Sequence, residues 1–231
     1  MKPGVLAVHL VLSSTSMKKI LLLIFIHHCI SSSGQIPVEL MAGHERSTVD
    51  VMFFSFFKDK QGQNSRWLFF NRNRASIDYR MTDNTYLPQF GFTEAISYNH
   101  EKLNGFAPVA VGQVLSWGAY AKGGIQYAHI TKSMTIFTWL VCEINENPAV
   151  DQFLLARYTP KITDKLKLFS QFESVISIPT LEDENYSFTQ RLRLGLQMDT
   201  YQFGAAADFN QTGRAQYTSI HNIGIFIRHE F

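Results

Sequence analysis

From residue 36 onward the chain alternates apolar and polar side chains with a period of two. In "YSFTQRLRLGLQM", residues 186–198, Tyr186, Phe188, Leu192, Leu194, Leu196 and Met198 share one side of an extended segment. Ser187, Thr189, Arg191, Arg193, Gly195 and Gln197 share the other. A strand with one greasy face and one face bearing two arginines cannot be buried on both sides, so it belongs to a sheet whose faces meet different media. "YQFGAAADFN", residues 201–210, sets Tyr201, Phe203, Ala205, Ala207 and Phe209 against Gln202, Gly204, Ala206, Asp208 and Asn210. In "RASIDYR", Arg74, Ser76, Asp78 and Arg80 oppose Ala75, Ile77 and Tyr79. The contrast weakens in 149–160, where Phe153 and Leu155 share a side with Asp151 and Arg157.

No segment after residue 36 carries a helical period, and the reading is all-β. Strands are expected over 37–45, 49–58, 65–80, 89–101, 106–118, 124–131, 134–145, 149–160, 165–178, 186–199, 201–210 and 217–231. The connections carry turn residues, as in "KDKQGQNS" at 58–65, "KLNG" at 102–105, "NENP" at 145–148, "LEDEN" at 181–185 and "NQTGR" at 210–214. Each hairpin joins sequence neighbours, which favours an up-and-down antiparallel meander. Fusing the first pair leaves eleven strands, and the even alternatives are twelve or ten.

Three features orient the faces. Several strands run to ten or more residues, enough to cross a bilayer when tilted, whereas strands of soluble proteins average about five or six. Aromatic residues stand at the strand ends, and the polar faces carry arginines and acids suited to an interior. Charged residues make up 17% of the chain and aromatics 13%, with 19 phenylalanines, a balance that favours membrane over ordinary soluble folds.

Residues 1–34 differ, with three lysines, no acid and the apolar run "ILLLIFI" at 20–26. From Met17 they read as a cleavable signal peptide, with Ser32 and Gly34 placed for cleavage before Gln35. The run is too short for a transmembrane helix, which needs about 20 apolar residues. Cys29 lacks the small residues that precede a lipidated cysteine. Cleavage leaves 18 basic residues against 19 acidic ones and Cys142 as the lone cysteine, so no internal disulfide is expected. With no basic stripe, nucleic-acid binding is excluded.

A signal segment, an all-β remainder over 35–231 and a last strand in which Ile223, Ile225 and Ile227 alternate towards Phe231 together resemble bacterial outer-membrane β-barrel proteins. His229 departs from the pattern, a more apolar residue being usual there. The resemblance implies a transmembrane barrel in the outer membrane of a Gram-negative bacterium. It further implies surrounding lipid and recognition of the C-terminal strand by the barrel-assembly machinery. Size and strand number are similar to nucleoside-channel barrels, with no substrate motif to carry over.

The candidate functional residues are the charges on the polar faces, namely Arg72, Arg74, Asp78, Arg80, Glu173, Arg191, Arg193, Asp208, Arg228 and Glu230. Sharing one interior, they would line a lumen that favours small polar or anionic solutes, or fill a narrow barrel with ion pairs. The expected function is a passive channel. The alternatives are a non-conducting structural or surface-interaction barrel and a lipid-active enzyme. For the last, His44 near Ser47 and Ser219 near His221 are sequence neighbours only. No metal or cofactor is expected, since the histidines lack ligand spacing and no phosphate-binding glycine loop occurs. Trp67, Trp117 and Trp139 read as anchors at the barrel rims.

Overall fold

A sheet of alternating segments can bury one face by curling onto itself, and this one does. The computed structural model describes residues 36–79, 89–116, 118–145 and 148–231. The apolar run at 20–26, Arg80 and Trp117 lie outside them. The strands are β1 (Pro37–Gly43), β2 (Arg46–Lys58), β3 (Asn64–Asp78), β4 (Gln89–Tyr98), β5 (Phe106–Leu115), β6 (Gly118–Ile130), β7 (Met134–Glu143), β8 (Val150–Tyr158), β9 (Leu166–Ile178), β10 (Tyr186–Met198), β11 (Tyr201–Gly213) and β12 (Tyr217–Glu230). Each pairs antiparallel with its sequence neighbours, and β1 pairs with β12, so the sheet is a closed up-and-down barrel of twelve strands. The likeness to outer-membrane barrels read from the sequence therefore extends to the architecture.

The seam runs from Pro37 opposite Glu230 to Gly43 opposite Gly224, and Ile36 and Phe231 exchange backbone hydrogen bonds at 3.3 and 3.2 Å. Where β1 ends, side chains continue the ladder. The His44 ring nitrogen Nδ1 accepts from the Ile223 amide at 3.0 Å. Closure leaves no open strand edge at the seam. Inward-facing glycines permit tight curvature elsewhere: Gly195 lies opposite Gly204, and a Cβ on Gly195 would stand 2.0 Å from the Phe203 carbonyl oxygen.

The outer wall is apolar. Leu192, Leu194, Ile223, Ile225 and Ile227 are all exposed, Ile225 at 69%, while Arg193, Asn222, Phe226 and Arg228 of the same strands are buried. Aromatics mark the strand ends, with Trp67, Phe106, Tyr158, Tyr201 and Phe231 towards the end that carries the termini and Tyr79, Phe90 and Tyr217 towards the other.

Three expectations are corrected. Strand β6 begins at Gly118 rather than 124, because "GAYAKGG" pairs fully with β5 although its small residues hide the alternation. Strand β11 continues through Thr212 and Gly213, which pair with Thr218 and Tyr217 inside the segment read as a turn. Trp139 is no rim anchor. It is 6% exposed and points into the lumen.

Candidate functional site

The interior has two unlike halves. The inward faces of β2, β3, β5, β7 and β8 contribute Met52, Phe70, Val109, Val111, Phe137, Trp139, Val141, Phe153 and Leu155, a cluster buried to 6% exposure or less. Its rings meet across the lumen. Phe54 of β2 and Phe137 of β7 approach to 4.8 Å between centroids, and Phe70 stacks on Phe137 at 5.3 Å and meets Trp139 edge-on at 5.2 Å. The weak alternation of β8 is thereby explained, since Phe153 and Leu155 face inward together with Asp151.

The other half is charged, and the two meet on β2 and β3, where Asp50 and Arg72 lie two residues from Met52 and Phe70. Arg72 donates to Asp50 of β2 and to Glu173 of β9, both at 2.5 Å. Strands β3 and β9 are six places apart whichever way round the circle of twelve is followed, so the Arg72–Glu173 contact spans the barrel's full width. Arg74 binds Asp50 at 3.0 Å and Asp208 at 2.5 Å. Arg193 reaches Glu39 and Asp208, each at 2.8 Å. Arg191 contacts Glu173 at 3.3 Å, and Arg228 donates to Glu39 and, at 3.1 Å, to Gln171. Five arginines and four carboxylates thus form one connected layer at mid-height. Every one of these carboxylates is shared by two arginines, the arrangement that compensates the cost of taking such charges out of water.

The layer collects Arg72, Arg74, Glu173, Arg191, Arg193, Asp208 and Arg228 from the sequence candidates. Glu230 stands apart, accepting from Gln202 at 2.7 Å near the termini. Asp78 lies at the far end of β3, opposite Arg46. Glu39 and Asp50 were missed. Glu39 is the single charge of β1, and Asp50 is the one charge of β2 away from its ends; the signal was their parity, which matches inward Met41 and Met52. A separate ion cluster joins Lys122 to Asp151 and to Glu143 at 3.3 Å.

Two vestibules flank the layer. One of about 180 Å³, lined by Arg46, Arg74, Arg191 and Asp208, opens away from the termini. The other, of about 350 Å³, lies at the terminal end and includes Arg157, Lys167, Gln202 and Glu230. Arg157 binds Gln171 at 2.8 Å and has no carboxylate partner among the described residues.

Of the histidine–serine neighbours, Ser219 Oγ accepts from Gln211 at 3.4 Å and the His221 ring lies 5.6 Å from that of His44. Ser47 Oγ bonds the Tyr79 hydroxyl at 2.7 Å. His229 bonds the Thr200 hydroxyl at 3.1 Å and packs between the rings of Tyr201 and Phe231.

No family model and no curated protein matches the sequence. Among solved structures the chain is similar to the NanC porin, with 6% identity and a TM-score of 0.49 over 86% of this chain and 100% of that one. It is also similar to the KdgM porin, with 8% identity and a TM-score of 0.46 over 85% and 99%. The β domain of the Bordetella autotransporter BrkA aligns with 7% identity and a TM-score of 0.38 over 87% and 100%. At these scores the assignment rests on the chain's own ladder, which closes on itself after twelve antiparallel strands.

Proposed function

We propose that this chain is an outer-membrane β-barrel that passes small polar solutes, anions ahead of cations, through the charged half of its lumen. The observation that carries this reading is the mid-height layer, in which five arginines face four carboxylates between two vestibules. An apolar wall with aromatic ends supports the bilayer setting, because hydrocarbon admits no unpaired strand edge and favours such a surface. The arginine excess, with Arg157 beside it, supports the anion preference. Because the Arg72–Glu173 contact spans the lumen, the passage is narrow and its unit conductance small. In planar bilayers the protein gives small, reproducible current steps. Glu173→Gln, which frees Arg72 and Arg191 from a shared carboxylate, enlarges the steps and moves the reversal potential further towards the anion value. A correctly folded barrel that is silent both as wild type and as this variant overturns the reading.

The same cross-lumen contact favours a second reading, a sealed barrel that acts through its rims. Silence in both proteins selects it.

A further inference from the structure

One arginine of the lumen stands without an acid. Arg157 lies on the inward side of β8, in step with buried Phe153 and Leu155, and lines the larger vestibule at the end that carries the termini. The five arginines of the charged layer each pair with at least one carboxylate, whereas Arg157 forms no ion pair among the described residues.

Its guanidinium is nonetheless held in place. Nε donates to Gln171 Oε1 at 2.8 Å, and Arg228 Nη1 donates to the same oxygen at 3.1 Å. The ring of Phe169, wholly enclosed, packs against both arginines, its centroid 5.8 Å from Arg157 Cζ and 5.1 Å from Arg228 Cζ. These contacts leave the two Nη nitrogens of Arg157, which have no hydrogen-bond partner among the described residues and are not enclosed. Nitrogens that are both enclosed and unpartnered occur elsewhere, as at Arg191 Nε. A cavity of about 350 Å³ is thus met by a guanidinium fork that is fixed at its root and open at its tip.

The parallel N–H groups of such a fork match the two oxygens of a carboxylate, and a cation partly withdrawn from water costs free energy that this partner recovers. Arg228 beside it has Glu39, whereas Arg157 has only the Gln171 amide. The charged lining of the cavity is Lys132, Arg157 and Lys167 against Asp199 and Glu230, and Glu230 already accepts from Gln202 at 2.7 Å. Three cations against two acids leave one positive charge, which suits a singly charged guest. We propose that this vestibule is a binding subsite for a small monocarboxylate, gripped by the two Nη groups of Arg157. Lys132 and Lys167 stand nearer the rim, where their charge draws anions in from solution. The subsite rests on the reading of the lumen as a passage for anions, and gives that passage a chemical class and a first station beside the charged layer.

The full barrel, isotope-labelled on its arginines, is folded in detergent micelles, and the Arg157 Nε–H resonance is identified by its loss in Arg157→Lys. Sodium acetate shifts this resonance saturably, with a midpoint about tenfold below that of sodium chloride at matched ionic strength. Phosphate, at a pH where it is a dianion, binds more weakly than acetate. In planar bilayers the current in potassium acetate levels off with concentration for wild type. It rises in proportion for Arg157→Gln, whose gel shift between folded and boiled protein is kept. A wild-type resonance that answers acetate and chloride alike, or neither, overturns the proposal even where current flows. So does tighter binding of phosphate, the mark of a site for multivalent anions, and so does a current that levels off equally in Arg157→Gln. A barrel that binds acetate through Arg157 yet passes no current strikes the passage reading and leaves the subsite standing.

Discussion

Asn222 is wholly enclosed and makes hydrogen bonds that the β1–β12 ladder cannot reach. Its Oδ1 accepts from the amides of Glu45 at 3.0 Å and Arg46 at 3.2 Å, and its Nδ2 donates to the Arg46 carbonyl at 3.2 Å. These groups belong to Glu45, in the turn between β1 and β2, and to Arg46, the first residue of β2, both beyond the last residue of β1 that pairs with β12, Gly43. One side chain of the last strand thus clamps the first hairpin. A buried group left without its partner costs about 1–3 kcal/mol. Asn222→Ala is therefore expected to lower the urea midpoint of the folded band on gels clearly. Asn222→Asp, which keeps the acceptor and loses the donor, is expected to fall between. An alanine variant with the wild-type midpoint would show that the clamp carries no stability.

At the scale of the strand, the inward faces of β3, β7 and β8 hold half the lumen shut with hydrocarbon. Phe137 is 0% exposed and lies against Phe54, Phe70, Trp139 and Phe153. Truncating such a ring costs about 3–5 kcal/mol. Phe137→Ala should lower stability by about that much and, in planar bilayers, add current that is indifferent to ion sign, because the new path is lined by hydrocarbon rather than arginine. Unchanged conductance in a folded variant would mean that the cavity collapses or stays dry. The same contrast explains what the sequence revealed. Strands β10 and β11 were legible because outward leucines and phenylalanines oppose inward arginine, glutamine and aspartate. Strand β8 was blurred because grease lies on both of its faces, and Trp139 was misplaced because an indole suits a rim and an aromatic core equally well. The arginines of the charged layer followed from parity alone. That Arg72 would meet Glu173 did not, since the meeting depends on the width and stagger of the closed barrel, which no local pattern encodes.

At the scale of the whole molecule, the decisive element is the seam. Seven residue pairs join β1 to β12, and the outermost backbone bonds set Ile36 beside Phe231. In a cylinder every strand has two neighbours, so the seam differs from the other hairpins only in lacking a connecting turn. If stability resides in the closed ladder and the two interior layers, chain order is dispensable once the ends are joined. The connection between β2 and β3, residues 59–63, is exposed and bends through Gly62 at a φ of 77°. Cuts are best tolerated at such exposed turns. A circular permutant that links Phe231 to Ile36 by a few glycines and serines and opens between Lys60 and Gln61 should fold in detergent with the wild-type gel shift and circular dichroism. Its urea midpoint should lie close to that of wild type, because every ladder pair is retained and the new linker shortens the loop that the seam must close. A permutant that remains unfolded would show that the seam forms only after the other strands have paired in their natural order, making closure a kinetic event.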